Sequence, residues 1–90
     1  MTREELATAS DLLESAADDT ASDDASERLG DLADQLDRLS TADQGPDHGR
    51  LARIQSALND VSSGDGEDVA DTIDEADDAI NEYRSGLEGV

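Results

Sequence analysis

Apolar residues recur at alternating spacings of three and four along almost the whole chain, and that pattern admits one kind of secondary structure. Leu6, Ala9, Leu13 and Ala16 form a first stretch, with Leu12 beside it. Ala25, Leu29, Leu32, Leu36 and Leu39 form a second. Leu51, Ile54, Leu58 and Val61 form a third, and Val69, Ile73, Ala76, Ile80, Tyr83 and Leu87 a fourth. On an α-helix such positions fall on one face, so each stretch carries an apolar stripe that a neighbour must cover. No useful length alternates apolar and polar with period two, and β-branched residues are scarce, which argues against strands.

The ends of these stretches carry the chemistry of helix termini. Thr2 with Glu5 reads as a capping box. Thr20 or Ser22 can cap the second helix, with Asp23 and Asp24 in its first turn, where the helix dipole favours anions. Gln44, Gly45, Pro46 and Asp47 make a clear break, with Asp47 as the next N-cap. Ser62, Ser63, Gly64, Asp65 and Gly66 make another. The segment from Asp18 to Asp24 has neither Gly nor Pro, so a single long helix competes there with two. The step from Ala16 to Ala25 breaks the heptad phase and favours two, with breaks near 18–23, 42–47 and 62–66.

An internal repeat supports the same division. A shift of 45 lays Leu6, Ala7, Ala9, Leu13 and Ala16 on Leu51, Ala52, Ile54, Leu58 and Val61. A shift of 44 lays Ala25, Leu29, Leu32, Leu36 and Leu39 on Val69, Ile73, Ala76, Ile80 and Tyr83. Each half is a shorter helix, a turn and a longer helix. Two such hairpins, 3–41 and 47–88, joined by short connections, predict an all-α, antiparallel up-down four-helix bundle as one domain over 1–90. Leu13, Leu29, Leu32, Leu36, Leu58, Ile73 and Ile80 are the expected core.

The surface is set by charge. The chain has 25 Asp and Glu against six Arg, no Lys, and a net charge of −19 on 90 residues. In dilute buffer that is heavy self-repulsion, and low hydrophobicity with such charge is also a signature of disorder. In molar salt the screening length falls to about 3 Å and the same carboxylates keep the protein hydrated. An acidic, Asp-rich, Lys-free composition is that expected of a protein from a salt-in halophile. With no Phe or Trp and a single Tyr, the core is small, and the monomer is expected to be marginal without salt or self-association. No Cys is present, which removes disulfides, thiolate chemistry and Cys-ligated metal. The start, Met1 to Glu5, lacks the apolar run of a secretory signal, and no apolar run approaches the ~18 residues of a membrane span, so a cytoplasmic location is expected.

The opening Thr2, Arg3, Glu4, Glu5, Leu6 and the closing run from Ile80 through Tyr83 and Arg84 to Val90 carry a resemblance. With the overall pattern, they make the chain similar to the small, uncharacterised, acidic helical proteins of haloarchaea. That resemblance implies no known activity and transfers no site residue.

Motifs for chemistry are sparse. Read as EF-hand loops from Asp60 or Asp18, the acidic turns place Asp at position six where Gly is required. Loose cation binding by Asp65, Glu67 and Asp68 is the remaining metal reading. His48 is the sole His and is read as a solvated turn residue, without a nucleophile or orienting partner in any motif. Gly64 and Gly66 precede a helix but no strand precedes them, and the surrounding acids repel phosphate. The negative field also opposes nucleic-acid binding. No catalytic, cofactor-binding or metal-ligating residue is therefore assigned, and no enzyme is expected.

The cations are more informative. In an antiparallel bundle Arg3, Arg38, Arg50, Arg53 and Arg84 gather at one end, with Tyr83. Arg38 and Arg84 lie near helix C-termini, where the dipole favours cations, and Arg84 can pair with Glu88. Tyr83 is better read as closing the core. The candidate interaction pole is Arg3, Arg50, Arg53, Tyr83 and Arg84, and the expectation is a non-enzymatic interaction or regulatory module, or a homo-oligomer, with an unknown protein partner. Weak binding of cations or a small ligand is the alternative, and mimicry of nucleic acid toward a basic partner a further one.

Overall fold

The computed structural model describes residues 4–41 and 48–88, with side chains through residue 86. Four α-helices follow one another: α1, Glu4–Asp19; α2, Asp23–Thr41; α3, His48–Ser63; and α4, Ala70–Glu88. A short 3₁₀ turn, Glu67–Val69, leads into α4. There is no strand among the described residues. Each helix packs on two others, α1 most extensively on α2 and α4, while α3 meets α4 less and α2 least. The result is an elongated bundle of 40 × 19 × 17 Å, whose cross-section is that of a two-by-two array of helices.

Polar bonds fix the directions. The Ser10 hydroxyl donates to the Ala33 carbonyl at 2.7 Å, and the Ser26 hydroxyl to the Ala17 carbonyl at 2.8 Å, so α1 and α2 run antiparallel. Gln55 Nε2 donates to Asp77 Oδ1 and Asn81 Oδ1, both at 2.9 Å, while the earlier His48 meets the later Arg84 at 3.2 Å, so α3 and α4 run antiparallel. Ser10 and Gln55 are 45 positions apart, and Ala33 and Asp77 are 44 apart. The bond across the first hairpin thus has a counterpart across the second, at the positions the repeat equates.

The core follows the stripes. All seven expected core residues are buried, from Leu13, Leu29, Leu36 and Ile80 at 0% exposure to Leu32 at 7%. Leu12, Leu39 and Tyr83 are half-buried against that core. The stripes omitted Ser10, Ala33 and Ala79, which are also buried. Small side chains let α1 and α2 approach closely, and the 2.7 Å bond from Ser10 satisfies the buried hydroxyl.

The break after α1 spans residues 20–22, within the expected range. Ser22 caps α2: its hydroxyl oxygen accepts from the Ala25 N–H at 3.2 Å, and its carbonyl from the Ser26 N–H at 2.9 Å. The break after α3 begins at Gly64. Val69, read as the first rung of the fourth helix, belongs to the 3₁₀ turn instead, because the chain tightens there to bring Gly66 onto the end of α3. The Gly66 N–H bonds the Val61 carbonyl at 2.8 Å. The Thr2 capping box, the break at 42–47 with Asp47 as N-cap, and Arg3 lie outside the described residues, as do the side chains of Leu87 and Glu88.

Candidate functional site

Charge is shared unevenly among the helices. α1 has six acidic residues and no basic one, α2 six against Arg28 and Arg38, and α4 seven against Arg84. α3 has Asp60 alone against Arg50 and Arg53, so among the four it alone carries more cations than anions. Its other outward positions, Gly49, Ala52, Ser56 and Asn59, are small or neutral. Among the described helices of this −19 chain, α3 therefore offers an approaching carboxylate the least negative charge of its own.

The same helix is loosely seated on α2. Between them lies an open groove of about 340 Å³, lined by Leu32 and Gln35 of α2 and by Arg50, Arg53, Ile54 and Ala57 of α3. Leu32 and Ile54 form its floor, Ala57 is half-buried, and both arginines are exposed. The groove exists because neither Gln35 nor Ala57 supplies a large apolar side chain to close the seam. Its ends differ. Arg50 and Arg53 sit in the first turns of α3, beside the last turns of antiparallel α2, where Arg38 pairs with Asp34 at 2.8 Å. Asp31 and Asp60 lie toward the opposite end, and both are exposed.

Two further members of the expected pole, Tyr83 and Arg84, lie away from the groove. Arg84 bridges α4 and α3: its Nε donates to His48 Nδ1 at 3.2 Å, and its Nη1 to Gln55 Oε1. His48 is therefore no solvated turn residue. It is half-buried in the first turn of α3, because the end of α4 brings a guanidinium against it. Tyr83 packs against the edge of the core. The structure thus brings Arg50 and Arg53 together at the groove, directs Arg84 to a bond network within the chain, and leaves Arg3 undescribed. Sequence reasoning sorted cations by the end of the bundle they reach; charge summed helix by helix would have singled out α3.

Of the acidic turn, Asp68 has a defined task. Its Oδ1 accepts from the Thr20 hydroxyl and its Oδ2 from the Ala21 N–H, each at 2.8 Å, which ties the α1–α2 connection to the start of α4. The Ala21 N–H and then the Thr20 hydroxyl stabilise the ionised carboxylate and lower its pKa from the ordinary 3.8. Among the described residues no group of three or more His, Asp or Glu is disposed to hold a metal ion. Among them, too, no helix is long and apolar enough to cross a membrane.

The sequence pattern of a family of unknown function, DUF7553, matches residues 1–86. No curated protein and no solved structure matches the chain.

Proposed function

The chain belongs to DUF7553, and we propose that it is a non-enzymatic protein-interaction module of a salt-rich cytoplasm such as haloarchaea maintain. The observation that carries this reading is the groove between α2 and α3, with an apolar floor of Leu32 and Ile54 and two exposed arginines at one end. Arg is among the residue types that contribute most at protein interfaces, and here it stands beside a partly desolvated apolar surface. Against an enzyme stands the engagement of the sole imidazole, His48, by Arg84. Against a cation site in the acidic turn stands Asp68, whose two oxygens already accept bonds that hold the fold together.

A photo-crosslinking residue placed at Ala57 or at Glu14 of α1 tests the reading in cells of the source organism. Discrete adducts from position 57, absent from position 14, are expected. Equal labelling from both positions, or none from 57, would overturn the use of this groove.

A further inference from the structure

We infer that the occupant of the α2–α3 groove is an acidic amphipathic helix from a partner protein, its apolar anchor over Leu32, Ile54 and Ala57 and a carboxylate on Arg50 and Arg53. The inference rests on the interaction reading above and goes further by naming the chemistry of the partner. Three observations select it.

The first is shape. The groove lies between two antiparallel helices and is open along its length, with about 340 Å³ of room. That suits one or two large side chains from a third helix and does not enclose a whole small molecule, whose pockets bury most of the ligand. A helix presents such anchors at spacings of three and four, in step with the residues lining this seam.

The second is charge. α3 is the helix with a surplus of cations, and its outward positions Gly49, Ala52, Ser56 and Asn59 offer no carboxylate to repel an acidic neighbour. A basic partner would have no reason to choose this groove, because α1 and α4, with six and seven acids, attract it more strongly. A second copy of this chain has the apolar stripe of each helix already buried in its own bundle and, among the described residues, no spare apolar face to lay in this groove.

The third is the kind of cation. In molar salt the long-range attraction between charges is lost. Short bidentate bonds from a guanidinium to a carboxylate survive better than the point attraction of an ammonium. Both rim cations are Arg, and their position at one end of the groove sets a polarity, with Asp31 and Asp60 toward the other end. Recognition of this kind inverts the usual salt response. Once salt is high enough for the bundle to form, binding of an acidic helix should hold or strengthen as salt rises further, because the repulsion from the −19 surface is screened.

The probe is a labelled synthetic helix with Leu at i, i+3, i+4 and i+7 and Glu elsewhere, followed by fluorescence anisotropy against the full chain. A Lys-for-Glu version and a Ser-for-Leu version serve as comparisons. At 2 M KCl the Glu helix is expected to bind and the Ser version not. The Lys helix is expected to bind in dilute buffer alone, regardless of changes in the groove. Arg50→Glu with Arg53→Glu should weaken the Glu helix at least about tenfold while helicity is kept, since both positions are exposed. Ala57→Phe, which fills the groove without altering charge, should do the same. Sedimentation of the free chain separates the remaining occupant. Self-association in 2 M KCl that is abolished by the double Arg variant would assign the groove to a second copy and overturn the inference. So would unchanged binding of the Glu helix to both variants, or its failure to bind at all. If it fails while crosslinks from position 57 persist, the interaction module stands and only the acidic occupant falls.

Discussion

At the scale of single residues, two side chains do more than their polarity suggests. Ser10 lies 3% exposed at the α1–α2 contact, and its hydroxyl donates a hydrogen bond to the Ala33 carbonyl. Ser10→Ala keeps the small volume and removes that bond, so chemical denaturation should show a loss of about 1 kcal/mol. A neutral result would mean that close packing alone holds this contact. Neither Ser10 nor Ala33 was legible as core: a serine gives no apolar signal, and the larger Leu32 took the rung between Leu29 and Leu36 that Ala33 shares, although the spacing of Leu6, Leu13, Leu29 and Leu36 identified the buried face correctly. Asp68 is the second. Its carboxylate is exposed, yet it accepts from both Thr20 and Ala21, and the ionised form is the one the fold prefers. A carboxylate whose pKa is lowered on folding stabilises the native state above its unfolded pKa of 3.8, and that contribution disappears as pH falls through the lower folded value. The melting temperature of the natural chain should therefore exceed that of Asp68→Ala by a constant margin at neutral pH. The margin should narrow only below about pH 4. A margin that closes between pH 5 and 7 would point to a group other than Asp68.

At the scale of elements, the turn between α3 and α4 is the tightest point. Gly66 is buried, and a Cβ placed on it would lie 2.5 Å from Val61 Cγ1, 3.0 Å from the Val61 carbonyl oxygen and 3.5 Å from Ala25 Cβ. Val61 is itself in the core, and the backbone oxygen cannot move without releasing the Gly66 N–H it accepts. Gly66→Ala should cost roughly 1–3 kcal/mol by overpacking. Gly30, whose Cβ would meet nothing within 4 Å, is the control. Gly30→Ala in mid-α2 should be neutral or stabilising, by up to about 1 kcal/mol. If thermal melts rank the two substitutions the other way, the packing of this turn is wrong. The sequence showed where this turn lies from its glycines and serines, and showed the α1–α2 break from the phase slip after Ala16. It could not show the 3₁₀ geometry at Val69, because that follows from the close approach of Gly66 to α3, a tertiary fact. The rotation of exposed residues about their axes was hidden for the same reason. Arg50 and Arg84 share an end of the bundle, yet one lines the α2–α3 groove and the other bonds His48.

At the scale of the whole molecule, one term opposes folding from every side. Packing of four helices gathers nineteen uncompensated negative charges around a core that holds no residue larger than leucine or isoleucine. The described ion pair Arg38–Asp34 is solvent-exposed and offsets little of this. Screening should therefore decide whether the bundle forms, with helicity by circular dichroism rising strongly between dilute buffer and about 2 M KCl. Salt also strengthens burial of apolar surface, so the rise alone does not identify charge as the cause. Acid separates the two. Protonating carboxylates lowers the repulsion without adding salt, and the net charge vanishes near the sequence pI of about 4.1. If repulsion is what opposes folding, lowering the pH of dilute buffer from 7 to that pI of about 4.1 should recover much of the helicity that KCl recovers. This window lies above 3.8, so the Asp68 bonds are still in place there. A chain that responds to KCl but not to mild acid would be limited by its small core rather than its charge. One that melts cooperatively in dilute buffer at pH 7 would show that the acidic surface carries no folding penalty, and the link between this composition and a salt-rich cytoplasm would fall with it.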